Sequence, residues 1–342
     1  MERTTDRPAL SVLDLATIQN GESATETLRQ STELAKLADR LGYMRYWFAE
    51  HHNTKFQIST SPDLLAAHTA AHTERIRVGS GGIMLPNHSP LKVVENFSLL
   101  EALHPGRIDL GIGRAPGTDG MTALALRRSR EAVTGDDFPE QLAELLAFFD
   151  RDFPEGHPFG KITPSADPSL RPELFMLGSS DGGMRFASQY GLGYAFAAQI
   201  NPGLAVPVLR AYREHFRPSR YMQEPYSILS IIVIAADTEE EARHLAGPAE
   251  LQWARWGTGT YKLPPPTLEE AASHRYSPAE EAAREESRGR FVIGSRAQVG
   301  ERLRELAREA QVDEIMVLNM ITEMEPRHRS YELLAEEFGL RG

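Results

Sequence analysis

Along the 342 residues, short runs rich in β-branched and aromatic side chains alternate with longer segments whose apolar residues recur at helical spacing. The pattern predicts strands at 9–15 (ALSVLDL), 44–49 (MRYWFA), 77–85 (RVGSGGIML), 107–113 (RIDLGIG), 173–178 (ELFMLG), 193–197 (GYAFA), 226–235 (YSILSIIVIA) and 313–321 (DEIMVLNMI). Between them, Leu28, Leu34, Ala35, Leu37, Ala38 and Leu41 share one helical stripe, as do Val299, Leu303, Leu306, Ala307 and Ala310. Ser61-Pro62 and Ser89-Pro90 each offer an N-cap hydroxyl followed by proline in the first helical position. "HPGR" at 104–107 stops one helix and starts the next strand.

Eight strands alternating with helices predict an α/β fold, a (β/α)8 TIM barrel, with its site at the C-terminal ends of the strands. A doubly wound open sheet is the competitor, but no GxGxxG follows the first strand. Residues 246–292 break the rhythm with "LPPP", the charge run "AEEAAREESRGR", Trp253 and Trp256. We read residues 1–342 as one domain with an insertion at 246–292, before the last βα unit: either a solvated excursion or a mobile lid over the barrel mouth.

Composition narrows the function classes. The 48 acidic residues outnumber 37 basic ones for a formal net charge of -11, which opposes nonspecific binding to nucleic acid or anionic lipid. Cysteine is absent, which removes disulfides and thiolate chemistry together. The N-terminal "MERTTDRPAL" has no apolar signal core, and "IIVIAA" at 231–236 is far too short to span a membrane. A cytoplasmic protein handling small molecules is expected.

Candidate chemistry collects where the predicted strands end. In "RYWFAEHHNT" (45–54), alternation puts Trp47, Ala49 and His51 on one face and Phe48, Glu50 and His52 on the other, so one histidine points into the mouth. An imidazole there could shuttle protons near neutrality, or both histidines could simply cap the strand. A metal site finds little support, because adjacent strand residues diverge and no HExxH or H-x-H spacing converges them. Gly79, Gly81 and Gly82 suit close approach by a ligand or a neighbouring backbone. Arg114 emerges after Gly111 and Gly113 as a cation able to bind a phosphate bidentately. Gly178, Ser179, Ser180, Asp181, Gly182 and Gly183 lead into a helix as an anion cradle, with Asp181 as an opposing charge or an N-cap. Trp47, Phe56, Met84 and Tyr194 suggest an apolar pocket, although such residues fill any barrel core.

These residues resemble the flavin-dependent luciferase-like monooxygenases. The resemblance rests on "AEHHN" (49–53), the long block 78–119, "GSSDGGMRFASQYGLG" (178–193) and "FVIGSRAQVGERL" (291–303), and covers most of the chain outside 246–290. It implies a TIM barrel that pairs as a homodimer through the helices after the early strands. It further implies His51 as catalytic base with Glu50 beside it, and a non-proline cis peptide at Gly81-Gly82 against the flavin ring. Arg114, Ser180 and Gly183 would lie at the FMN phosphate. Ser179 and Gly183 replace a glutamate and a threonine of bacterial luciferase, which shifts phosphate binding toward backbone N–H groups and Arg114. The implied reaction is a two-component one: reduced FMN (FMNH2) from a separate flavin reductase meets O2, forms a flavin C4a-peroxide and oxidises a small, hydrophobic organic substrate. An F420-dependent hydride-transfer oxidoreductase and a non-catalytic flavin-binding protein are the alternatives.

Overall fold

Alternation along each strand sorts the side chains into two apolar layers. In the computed structural model, which describes residues 7–19, 21–129 and 136–342, Leu10, Val12, Tyr46 and Phe48 pack outward against helices. Leu13, Trp47, Ala49, Phe175, Ala195, Ile228 and Met316 pack inward on one another. Each fully buried large apolar side chain contributes roughly 1.5–3 kcal/mol, so both layers favour this register over a one-residue slip.

The strands are β1 (Ala9–Asp14), β2 (Arg45–Phe48), β3 (Arg77–Met84), β4 (Ile108–Gly113), β5 (Glu173–Gly178), β6 (Gly193–Ala197), β7 (Ser227–Ala236), β8 (Phe291–Ser295) and β9 (Glu314–Leu318). All eight predicted runs are present. They close a parallel barrel: neighbours pair from β1 to β7, then β7 pairs with β9 and β9 with β1. The ninth strand, β8, is new to the sequence-based reading. It pairs with the distal part of β7, Ile232–Ala236, beyond the residues that join β6 and overlapping those that join β9 only at Ile232. Its five residues lie between a charged helix and a helix start, too short a run to declare itself by periodicity.

The helices are α1 (Ala24–Leu41), α2 (Pro62–Ala71), α3 (Pro90–Leu103), α4 (Gly120–Arg127), α5 (Phe138–Asp150), α6 (Asp181–Tyr190), α7 (Ala205–His215), α8 (Glu239–Gly257), α9 (Leu268–Ser273), α10 (Pro278–Ser287), α11 (Arg296–Ala310) and α12 (Met324–Phe338). Pro62 and Pro90 do open α2 and α3, but the hydroxyls of Ser61 and Ser89 make no capping hydrogen bond. Proline alone presets those starts.

The predicted insertion begins later than its composition suggested. Helix α8 runs through Pro248 to Gly257, so 246–257 belongs to the helix after β7. The two short helices beyond it fold against α8 rather than lying loosely solvated. Arg255 pairs with Glu270 of α9, and Arg284 of α10 pairs with Glu250 at 2.7 Å. The charge run becomes α10, opened by a capping box between Ser277 and Glu280. The longest stretch of the insertion without helix begins at Thr258, and its Tyr261, Lys262, Leu263, Pro265 and Pro266 line a cavity at the mouth of the barrel.

Candidate active site at the barrel mouth

A cavity of about 720 Å³ opens beyond the C-terminal ends of β1, β2 and β9. Its wall includes His51, Phe56, Trp256, Tyr261 and Tyr331, and Lys262, Leu263, Pro265 and Pro266 line it as well. Of the four residues suggested as an apolar pocket, only Phe56 lines it. Trp47 and Tyr194 are fully buried elsewhere, Trp47 donating to Asp109 at 2.8 Å and Tyr194 to the Ser180 carbonyl at 3.0 Å. Met84 packs against Gly113 and Gly117. Strand alternation cannot tell barrel filling from mouth lining, which is why these positions misled.

His51 faces the cavity, and its neighbours hold it there. Strand β2 ends at Phe48, before the histidines, yet the two still diverge as alternation required. The His51 N–H donates to the Ser59 carbonyl at 2.9 Å, whereas its ring has no hydrogen-bond partner among the described residues and its Nδ1 is buried. Burial holds the imidazole below its usual 6.5, an effect that the nearby Glu50 carboxylate only partly opposes. Neutral at pH 7, it can accept a proton.

Glu50 points the other way. Its carboxylate, fully buried, accepts from the Met84 N–H at 2.9 Å, from His52 Nε2 at 2.8 Å and from His88 Nε2 at 3.0 Å. Glu50 therefore does not line the cavity; it ties the end of β2 to the loop after β3, with His51 between two anchored neighbours. Burial alone would raise the Glu50 pKa, but the His88 hydrogen bond and charge outweigh it, and the net shift is downward from 4.5. Burial would likewise lower His88, yet its bond to Glu50 leaves it raised above 6.5.

Those opposite shifts set the pH dependence. The lowered carboxylate contributes stability above about pH 4.5, and the raised imidazole contributes it below about 6.5, losing it as pH rises through the folded value. Glu50→Gln is therefore expected to lower the melting temperature most near about pH 5.5 and much less near about pH 8.5. Thermal unfolding of both proteins at the two pH values checks this; a gap that widens toward alkaline pH would contradict it.

Strand β3 carries the Gly81-Gly82 pair, whose peptide bond is cis. Ser80 pairs with Leu110 and Ile83 with Ile112, so both glycines oppose Gly111 alone. Close approach demands them: a Cβ at 82 would sit 2.7 Å from the Gly111 carbonyl oxygen, and one at 81 would meet Trp47 and Leu13 at 3.0 and 3.1 Å.

Across the mouth, Arg114 and the loop after β5 come together as expected. The Arg114 guanidinium lies over Gly182, where a Cβ would stand 3.2 Å from both Nη atoms. Arg114 has no carboxylate partner among the described residues. Asp181, the suspected opposing charge, pairs with Arg185 at 2.7 Å instead. Gly178 ends β5, Ser179 sits in the turn, and Ser180 precedes α6 without a side-chain cap, leaving the first N–H groups of the helix available. Gly183 lets α6 press onto β5, since a Cβ there would approach the Leu177 carbonyl to 2.7 Å. A guanidinium facing a helix N-terminus is a donor set for a phosphate. The cavity wall does not include Arg114 or residues 178–183, so cradle and cavity are separate features of one rim. No group of three potential metal ligands occurs among the described residues.

The sequence-based reading missed Lys55, Gln252, Lys262, Asn319 and Arg327, all of which line the cavity. They come from separate loops and helices with no shared motif, and only the fold brings them together.

Residues 9–314 match the family model described as luciferase-like monooxygenase. A luciferase-like monooxygenase of Escherichia coli K12 is 39% identical over 326 residues, 95% of each chain. An N-acetyl-S-alkylcysteine monooxygenase of Bacillus subtilis is 32% identical over 96% of this chain and 97% of its own. Among solved structures, apo-MsnO8 superposes with a TM-score of 0.90 at 38% identity, covering 98% of this chain and 99% of its own. The oxygenating constituent of a 3,6-diketocamphane monooxygenase of Pseudomonas putida, in complex with FMN, reaches 0.72 at 19%, covering 97% and 98%. An F420-dependent secondary alcohol dehydrogenase reaches 0.68 at 14%, covering 97% of this chain and 99% of its own.

Proposed function

Because the chain belongs to the luciferase-like monooxygenase family, we propose that it is an FMN-dependent two-component monooxygenase that uses reduced flavin and O2 to oxidise a small organic substrate. The observation that carries this reading is the pairing, on one barrel rim, of a phosphate cradle with a neutral histidine facing a cavity. Arg114, Gly182 and the N-terminus of α6 would hold the FMN phosphate, and His51 would move a proton to or from substrate. The cofactor supplies the activation of O2, and the protein supplies orientation and exclusion of water. F420 also carries a phosphate, so the cradle does not choose between cofactors. The relatives at 39% and 32% identity carry monooxygenase names, whereas the F420-dependent structure shares 14%. That difference favours FMN and reduction by a separate reductase.

Arg114→Met is expected to weaken FMN binding roughly 10- to 100-fold, the worth of a charge-assisted hydrogen bond to phosphate. Quenching of FMN fluorescence measures it, and unchanged affinity would remove the cradle from the reading. In the same titration, trypsin cleavage at Lys262 should slow if Thr258–Pro266 acts as a lid over bound flavin; equal cleavage in both states would argue for a fixed roof.

A homodimer completes the reading. Leu64 of α2 and Leu99 and Leu103 of α3 are 69%, 62% and 61% exposed, an apolar face suited to a second copy. Analytical ultracentrifugation should give twice the 38.1 kDa chain mass. A monomer at working concentration would refute the pairing.

A further inference from the structure

The charge inside the cavity runs against the charge of the whole molecule. A chain of net charge -11 lines this cavity with Lys55, Lys262 and Arg327 against one carboxylate, Asp14. Both oxygens of that carboxylate are engaged, Oδ1 by the Ala16 N–H at 2.7 Å and Oδ2 by the Tyr46 hydroxyl at 2.5 Å. None of the three cations pairs with a carboxylate among the described residues. Arg327 is anchored through Nε to the Ile321 carbonyl at 2.7 Å, which leaves its Nη1 amino group for another acceptor. Lys55 comes from the loop after β2, Lys262 from the roof after α8 and Arg327 from the first turn of α12. The rest of the wall combines an apolar set, including Phe56, Trp256, Leu263, Pro265 and Pro266, with polar residues such as Gln252 and Asn319. The phosphate cradle at Arg114 lies outside this wall, so these cations are surplus to flavin phosphate binding.

We propose that the cavity selects an organic acid: a substrate with an apolar body and one carboxylate, the body packed between Phe56 and Trp256 and the carboxylate held by Lys55, Lys262 and Arg327. This deepens the monooxygenase reading and rests on it for the word substrate. Three cations beside the apolar part of the wall attract a carboxylate, repel an ammonium and gain nothing from an alcohol of the same length. The roof residue Lys262 joins the site to the mouth, so acid binding and closure of Thr258–Pro266 would reinforce one another.

The test uses the full-length protein without flavin, titrated calorimetrically at neutral pH and low salt with octanoate, octan-1-ol and octylamine. Octanoate is expected to bind about tenfold or more tighter than octan-1-ol, with octylamine weakest. That preference should shrink at least severalfold in the Lys55→Gln/Lys262→Gln variant, which keeps Arg327, and shrink as salt is raised. Equal binding of octanoate and octan-1-ol by the unaltered protein, preferred binding of octylamine, or a preference undiminished by both substitutions would overturn the inference. FMN titration of the same samples separates the two claims. Loss of FMN binding with octanoate selection intact would sink the flavin reading alone, and the reverse result would sink the acid site alone.

Discussion

Replacing His51 by alanine is expected to lower oxygen-dependent product formation by roughly 10²–10⁴-fold, the range over which a positioned general acid or base acts. The ring reaches the cavity from the end of β2; Glu50 on one side is bound to Met84 and His88, and His52 on the other is held by Glu50 and by the Gly117 carbonyl. Alanine therefore removes the proton carrier without loosening its support. FMN affinity should change little, because the phosphate cradle at Arg114 and α6 follows β4 and β5, apart from His51 after β2. The readout is product formed per reduced FMN consumed, with H2O2 as the competing product. The variant should shift consumption toward H2O2. Wild-type activity should also keep its acid limb below pH 6.5, since burial favours the neutral imidazole. Unchanged product yield in the alanine variant would take His51 out of the chemistry.

How much of this was visible in the chain depends on the range of the signal. The eight barrel strands were legible because each carries a short β-branched or aromatic run punctuated by proline or glycine, and burial on both faces enforces that composition. His51, Arg114 and the 178–183 loop were legible because each follows directly on a strand end, where a parallel barrel exposes function. The division of labour between Glu50 and His51 was only half readable. Alternation said that they diverge, but not that Met84, His52 and His88 would claim the carboxylate. The cations of the cavity were invisible, because Lys55, Lys262 and Arg327 are brought together by tertiary packing alone. The run at 246–292 misled for a different reason. Its prolines and charges look like linker, yet Pro248 is tolerated inside α8, and the charges pair across helices.

At the other end of the barrel, Asp109→Ala is expected to lower stability by about 3–5 kcal/mol, the cost of removing one partner from a buried ion-pair network. The residues involved all sit where strands begin. Arg45 opens β2, and its side chain, 3% exposed, reaches Asp109 at 2.9 Å and Glu314 at 3.0 Å, both carboxylates fully buried. Asp109 also accepts from Trp47 Nε1 at 2.8 Å and from Arg77 at 2.7 Å, while the Tyr226 hydroxyl donates to Glu314 at 2.7 Å. The Arg45 guanidinium stacks 4.8 Å from the Phe175 ring centre, so the cluster plugs the floor beneath the apolar interior. Removing Asp109 strips an acceptor from two guanidiniums and an indole at once, and water cannot reach Arg45 to replace it. Glu173 is the internal control: it touches the same arginines at 3.6 and 3.2 Å but is 45% exposed, so Glu173→Ala should cost within about 1 kcal/mol. Urea unfolding distinguishes the two, with a lower midpoint at unchanged slope for Asp109→Ala and little movement for Glu173→Ala. Below the transition, folded Asp109→Ala should still bind FMN with wild-type affinity, because the floor supports the barrel and the rim carries the chemistry. Equal losses in the two variants would mean that the floor is held by apolar packing rather than by its charges.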